Sequence, residues 1–280
     1  MKKYGFPYKG SKSKIADELI AVMPSGNRFI DLFGGGGAVS HCACLSGKYN
    51  SVLYREIRQT MCCFLRDVID GKYNIKTFVP EWISRDEFNK KKNTDGYIAS
   101  VWSFGNNFRD YLYSKQIEEY KHKVHDFVVF GKADKIFKDV LSYVTADNIE
   151  DRRLQFCKAI KGLENVDYRI PHLERLERLK YLDHLEGLEI QCGDYRDYIY
   201  HDGDIVYCDI PYEKDSRDSY CCHFDYPSFY EWVKNRPYQV WFSSYDGIDG
   251  FKKIWEKPIT TSMAANNNAI KRIECLYTNR

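Results

Sequence analysis

Phe29-Ile30-Asp31-Leu32-Phe33-Gly34-Gly35-Gly36-Gly37 is an apolar run that ends in four consecutive glycines. It reads as a short buried strand running into a turn, followed by a helix from about Ala38 to Leu45. Glycine tolerates positive φ and lets a ligand approach the backbone closely. Working outward, Ser51-Val52-Leu53-Tyr54 is a second strand ending at Arg55-Glu56, and a helix follows over about Gln59 to Ile69. Strand–helix–strand–helix is the signature of a parallel α/β sheet. At the carboxyl end of the first strand such sheets bind nucleotide-like ligands. A bare tight turn is the other reading of the glycines. The run is neither a completed GxGxxG fingerprint nor a P-loop, because no Gly-Lys-Ser/Thr closes it. Glu56, at the end of the second strand, reads either as an acceptor for ribose hydroxyls or as a solvated strand-end carboxylate.

A second informative stretch comes late. Asp204-Ile205-Val206-Tyr207-Cys208 is an apolar strand that delivers Asp209-Ile210-Pro211-Tyr212 to its end. The carboxylate can accept hydrogen bonds from an exocyclic amino group. Pro211 fixes its own φ and biases Ile210 toward extended backbone. Tyr212 offers a flat face on which an extruded base can stack. Taken alone, an acid followed by a Pro-Tyr turn is also an ordinary strand end.

Between these stretches the character changes. Residues 12–23 have helical spacing, and 84–92, 113–127, 132–144, 148–162 and 172–186 also read as helices. Leu173, Leu176, Leu179, Leu182 and Leu185 form a stripe expected to be buried. Strands return at 188–192, 204–208, 239–243 and 273–277, with a helix over 226–236. The expected fold class is α/β, a Rossmann-like sheet with a mainly helical insertion. Residues 1–70 and 186–280 would form the sheet domain, and 71–185 the insertion.

The 280 residues carry a formal net charge of +2, with 44% hydrophobic and 29% charged residues. That suits a soluble protein with a real core. No apolar run reaches membrane-spanning length, and Met1-Lys2-Lys3-Tyr4-Gly5-Phe6-Pro7 has no apolar region behind its lysines, so no secretory signal is expected. The ten cysteines form no CxxC pair and no zinc-type spacing. Reduced thiols in a cytoplasmic protein without a metal are expected, with Cys221-Cys222 the pair most prone to exposure. Near-neutral charge argues mildly against nucleic acid, yet residues 9–14 hold three lysines and no acid, and 152–180 hold eight Lys/Arg against four Asp/Glu. Local basic surface is what meets phosphates, although a solvated helix face explains 152–180 equally well. If such surface meets phosphates, the candidate contacts are Lys9, Arg109, Lys115, Lys121, Lys123 and Arg152.

Tyr8-Lys9-Gly10-Ser11-Lys12, Asp31-Leu32-Phe33-Gly34-Gly35-Gly36-Gly37 and Asp209-Ile210-Pro211-Tyr212, in that order, resemble the Dam-like (alpha-group) DNA adenine N6-methyltransferases of phage and prophage type. Trp102-Ser103-Phe104-Gly105-Asn106-Asn107, Tyr111-Leu112-Tyr113, Gly193-Asp194-Tyr195 and the ending Glu274-Cys275-Leu276-Tyr277-Thr278-Asn279 are lesser matches. The resemblance implies S-adenosyl-L-methionine as cofactor, S-adenosyl-L-homocysteine as product and double-stranded DNA as partner. By it, Tyr8 and Lys12 would contact the cofactor, and Asp31 and Gly34 to Gly37 would cradle its methionine part. Glu56 would hold the ribose and Asp194 the cofactor's adenine, with Phe33 and Tyr195 also among the cofactor-binding residues. Asp209, Ile210, Pro211 and Tyr212 would form the catalytic site, with Asp209 also near the cofactor. The insertion would recognise the target. This chain departs from the family in having Ile210 where Pro is usual, and Arg55-Glu56 where Asn-Asp or Ala-Asp is common. The second change keeps the carboxylate. The first keeps the main-chain carbonyl, so the chemistry is expected to survive.

Other readings stay open at the level of sequence. They are methylation of cytosine N4, RNA or another amine, a catalytically idle DNA-binding module, and a nucleotide-dependent oxidoreductase. Oligomeric state, recognition sequence and pairing with a restriction nuclease are not legible.

Overall fold

The computed structural model describes residues 4–132, 134–138, 140–161, 169–182, 185–212, 224–261 and 270–280. In chain order its elements are α1 (Ala16–Val22), β1 (Gly26–Asp31), α2 (Ala38–Leu45), β2 (Tyr49–Glu56), α3 (Gln59–Ile69), α4 (Arg85–Lys91), α5 (Gly96–Val101), α6 (Lys115–Phe130), α7 (Ile149–Ala159) and α8 (Pro171–Leu179). There follow β3 (Leu188–Cys192), β4 (Asp204–Asp209), α9 (Tyr226–Lys234), β5 (Val240–Tyr245), β6 (Lys252–Thr261) and β7 (Ile270–Thr278). The chain divides into two compact units: Met1–Gly5, Gly10–Cys62 and Leu185–Arg280 in the first, Phe6–Lys9 and Cys63–His184 in the second.

The first unit is built on one seven-stranded sheet of order β3-β2-β1-β4-β5-β7-β6. Strands β1 to β5 pair in parallel, and β7 is antiparallel to both β5 and β6. Alternation sorts the side chains. Phe29, Val52, Tyr207, Trp241 and Leu276 pack with Leu19, Ile20, Val39 and Ala43 of α1 and α2. Their neighbours Ile30, Leu53, Val206, Phe242 and Tyr277 pack with Phe229 and Val233 of α9. Burial on both faces explains why these strands read as apolar runs. Strand order reverses between β1 and β4, and ligands of open α/β sheets bind outside the carboxyl ends of the strands at such a switch point.

The second unit holds α4 to α8. Val124, Phe127, Val128 and Phe156 from α6 and α7 close on Phe137, Ile170 and Leu173. Leu173, Leu176, Leu179 and Leu182 are buried as their spacing requires, and Leu185 is half-buried. The reading of one helix over 132–144 is corrected. Gly131, at φ 69°, ends α6, and the Asp134 side chain caps a short 3-10 turn at Lys135–Phe137, with another at Leu141–Tyr143. Two elements escaped the sequence reading: α5, all six of whose residues are buried, and β6, which pairs with β7. Pro258 and the lysines of β6 fit an edge strand.

Candidate active site

The glycine turn is held by what surrounds it. Gly34 N–H donates to the Arg55 carbonyl at 2.8 Å and Gly37 N–H to the Gly34 carbonyl at 2.7 Å. Gly35 N–H donates to Glu56 at 3.1 Å, and the Tyr54 hydroxyl donates to the Gly35 carbonyl at 2.8 Å. A β-carbon on Gly34 would stand 2.2 Å from the Tyr54 ring, so glycine is required there by space. Gly35 and Gly37 sit at φ 48° and 68°, the left-handed region that glycine enters at little cost.

Three acids gather at the carboxyl ends of β1, β2 and β4. Asp31 is 2% exposed. It accepts from the Ser40 hydroxyl at 2.7 Å and from Phe33 N–H at 3.3 Å. Burial, reinforced by the charges of Asp209 and Glu56, pushes its pKa up to about 7, against the pull of those hydrogen bonds. Glu56 is buried and also accepts from the Arg58 amide and guanidinium, at 3.1 and 2.9 Å. Asp209 keeps 22% of its side chain exposed and pairs through Oδ1 with the Lys12 ammonium at 2.9 Å. Burial raises its pKa, and Lys12 opposes that.

Lys12, buried in the N-terminal segment, spans Asp209 and Glu274 (3.5 Å) and also donates to the Gly10 carbonyl at 3.4 Å. Its ammonium lies 4.4 Å from the centre of the Tyr212 ring. The Tyr212 hydroxyl donates to Glu274 and lies 3.4 Å from Asp209 Oδ1. The Tyr245 ring meets that of Tyr212 edge-on at 4.5 Å. The expectation of an open Tyr212 face is therefore corrected: the residue is buried, with Lys12 over the ring. Pro211 is half-buried, and Ile210 belongs to the apolar core beneath the site.

The Phe33 and Tyr195 rings lie 5.1 Å apart, beside Phe224 and Phe229. Asp194 caps the turn at Tyr195–Asp197 and is gripped by the Arg196 guanidinium at 2.8 and 2.7 Å, which lowers its pKa. Its main-chain carbonyl accepts from Arg55 Nε at 3.1 Å. Tyr8 and Lys9 belong to the second unit, where Tyr8 packs on Phe6 and Phe108.

The DNA candidates separate by burial. Lys121 is buried and donates to the Arg169 carbonyl at 2.7 Å, so its assignment as a phosphate contact is corrected. Arg152 is corrected too: it donates to the carbonyls of Val128 and Val129 at the end of α6 and to those of Ala146 and Asp147. Lys123 pairs with Glu119 and Asp134. Arg109 is exposed and paired with Asp110. Lys115 is exposed in the first turn of α6, beside an open groove of about 420 Å³ shared with Trp82, Glu118 and His122. Cys221-Cys222 lie outside the described residues.

The sequence reading missed Glu274, Ser40 and Arg58. Glu274 had a signal, since it is an acid inside the apolar run Ile273-Glu274-Cys275-Leu276. Ser40 and Arg58 are polar residues at helix starts, and nothing local marks them.

Asp31, Glu56, Asp209 and Glu274 stand with two cations, Lys12 and Arg58, a balance that favours a ligand with net positive charge over a pyrophosphate. The order with antiparallel β7 also differs from the all-parallel dinucleotide arrangement. Fold and site thus define an α/β protein with an acid-lined ligand position at the switch point. The family model of the D12 class N6 adenine-specific DNA methyltransferases matches residues 8–231, and the chain belongs to that family. It is an S-adenosylmethionine-dependent enzyme, and family membership implies adenine-specific methylation of DNA. The mixed seven-stranded sheet is consistent with a methyltransferase fold. No curated protein matches the chain. Among the described residues no helix is long and apolar enough to cross a membrane.

Proposed function

We propose that this chain methylates the exocyclic N6 of an adenine flipped out of duplex DNA within a defined short sequence. The single observation that carries the reading is the state of Asp209. Lys12 and Tyr212 engage its Oδ1, while Oδ2 has no hydrogen bond among the described residues and a fifth of the side chain is open. An amino group can donate one hydrogen to Oδ2 and the other to the Ile210 carbonyl. Two such acceptors favour a more tetrahedral nitrogen and aim its lone pair, which is orientation plus directed electrostatics.

When bound, S-adenosylmethionine supplies a methyl group on a sulfonium. Asp31, Gly34 to Gly37 and Glu56 would hold its amino-acid and ribose parts, with the acids matching its net positive charge. Phe33 and Tyr195 would wall its adenine, and Asp194 would accept from it with lone pairs that Arg196 leaves. Asp209 would act as acceptor beside Lys12, which opposes the rise that burial gives its pKa, and no proton need leave the amino nitrogen before attack. Flipping costs a few kcal/mol.

Residues 1–70 and 186–280 would be the catalytic domain, and 71–185 the target-recognition insertion, in the Dam-like order. By the resemblance, Tyr8 would contact the cofactor. Lys9, Arg109, Lys115 and Lys123 are the DNA contacts left after burial is considered. Lys115 supports this role, because a cation in the first turn of a helix works against the helix dipole. The loop before Arg109 supports it as well. Asn106 and Phe108 hold positive φ, a strain that clusters at functional sites.

The test is to express the chain in a host free of DNA methylation and map modified bases by single-molecule sequencing. N6-methyladenine in one short motif is expected. Unmodified DNA from a soluble protein that binds S-adenosylmethionine would overturn the duplex-DNA reading.

A further inference from the structure

We propose that Glu274 is a positioning residue for the reaction, resting on the reading of Asp209 as catalytic: its carboxylate divides the charge of Lys12 and so keeps Asp209 a strong acceptor. Glu274 is 2% exposed on β7, opposite Tyr245 of β5. It accepts from the Tyr212 hydroxyl and lies 3.5 Å from the Lys12 ammonium, whose other carboxylate partner, Asp209, is at 2.9 Å. Two carboxylates therefore share one cation.

The groups facing this pair are Lys12 from the N-terminal segment, Tyr207, Asp209 and Tyr212 from β4 and its extension, Asp31 from β1, Tyr245 from β5 and Lys257 from β6. Lys257 pairs with Glu18, and Lys12 is the cation within reach of both carboxylates among the described residues. An ammonium committed wholly to Asp209 Oδ1 would withdraw electron density from the whole carboxylate, and so weaken Oδ2, the oxygen that must take the adenine amino hydrogen. Glu274 prevents this by holding the ammonium between two anions. It also fixes the plane of Tyr212 through the hydroxyl. A buried carboxylate with no partner would be costly, so the lysine and the tyrosine hydroxyl also explain why an acid can stay inside β7. Burial raises the Glu274 pKa and the Asp209 charge adds to it, while Lys12 pulls the other way.

Glu274→Gln keeps the shape and an oxygen for the Tyr212 hydroxyl, and removes the charge. The pH profile of methyl transfer is measured for this variant, with Asp209→Asn alongside. Expected for Glu274→Gln is a fall in kcat of about ten- to a hundredfold, an unchanged KM for S-adenosylmethionine, and an acid limb moved to lower pH. The limb moves because Asp209 then holds Lys12 alone. A fall in kcat with the acid limb in place would mark a merely structural role and overturn the proposal, as would native kcat. Asp209→Asn turning over at the native rate would instead overturn the reading beneath it. Carboxyl NMR of the unaltered protein tests the same point without a variant. A coupled, two-step titration of Asp209 and Glu274 is expected, and independent single-step curves would contradict it.

Discussion

Asp31 carries two demands at once. It organises the turn through Ser40 and Phe33, and it stays acidic in a buried place that disfavours its charge. Its pKa near 7 means that the folded protein binds a proton between about 3.8 and 7 that the unfolded chain has released. Stability therefore falls as pH rises through that window, by an amount on the order of a few kcal/mol. A cationic cofactor reverses the preference. S-adenosylmethionine affinity, followed by calorimetry, is expected to rise between pH 6 and pH 8, and a flat profile would remove Asp31 from the cofactor site. Asp31→Asn should raise the melting temperature of the cofactor-free protein at pH 8 and weaken cofactor binding. Gly34 is constrained by space alone. Gly34→Ala should cost about 1–3 kcal/mol in denaturant unfolding, because its new methyl meets the Tyr54 ring. At 210 the isoleucine has a packing role, being 2% exposed. Ile210→Ala should cost about 2–5 kcal/mol, and an unchanged unfolding midpoint would show that the side chain is dispensable.

At the scale of elements, α6 and α8 are joined by a buried polar chain. The Tyr113 hydroxyl and His172 Nδ1 lie 2.7 Å apart, and His172 Nε2 and His125 Nδ1 2.9 Å apart. Trp102 stacks on His172 at 4.0 Å. Burial lowers the His125 pKa to about 4 and holds that of His172 well below its ordinary value. Both rings stay neutral in the fold, while the unfolded chain takes up protons near pH 6.5. The stability they provide is complete above that value and is lost as pH falls toward 4. In Asp31→Asn, which removes the opposing contribution of Asp31, urea unfolding followed by helical circular dichroism should show a lower midpoint at pH 5 than at pH 7.5. Equal midpoints would contradict a neutral pair. These elements also show what a sequence can reveal. β1, β2, β4 and the glycine turn were legible because strands buried on both faces leave apolar runs, and a turn that needs positive φ leaves glycines. α5 was not, since a helix buried on every side has no polar face to give it a period. β6 was hidden because Pro258 and its lysines suit an edge strand but weaken the strand signal. Asp209 stood out at the end of an apolar run, whereas the link from Lys12 to Glu274 crosses most of the chain and exists only once β7 lies beside β5.

For the whole molecule, binding to DNA should follow local charge, since the net charge is only +2. Each phosphate contact removed lowers the slope of log affinity against log salt by about 0.9. Arg109→Ala and Lys115→Ala should each reduce that slope, and unchanged slopes would take both residues off the DNA surface. Lys121→Ala should act differently, lowering thermal stability, because that ammonium is buried on the Arg169 carbonyl.

By the function proposed, the end of β4 positions the adenine amino group while separate residues hold the cofactor. The most direct test is methyl transfer from labelled S-adenosylmethionine to DNA by the native chain and by Asp209→Ala, with cofactor binding measured on both. N6-methyladenine from the native chain, none from the variant, and cofactor affinity retained in the variant are expected. Transfer at the native rate by Asp209→Ala would contradict the claim.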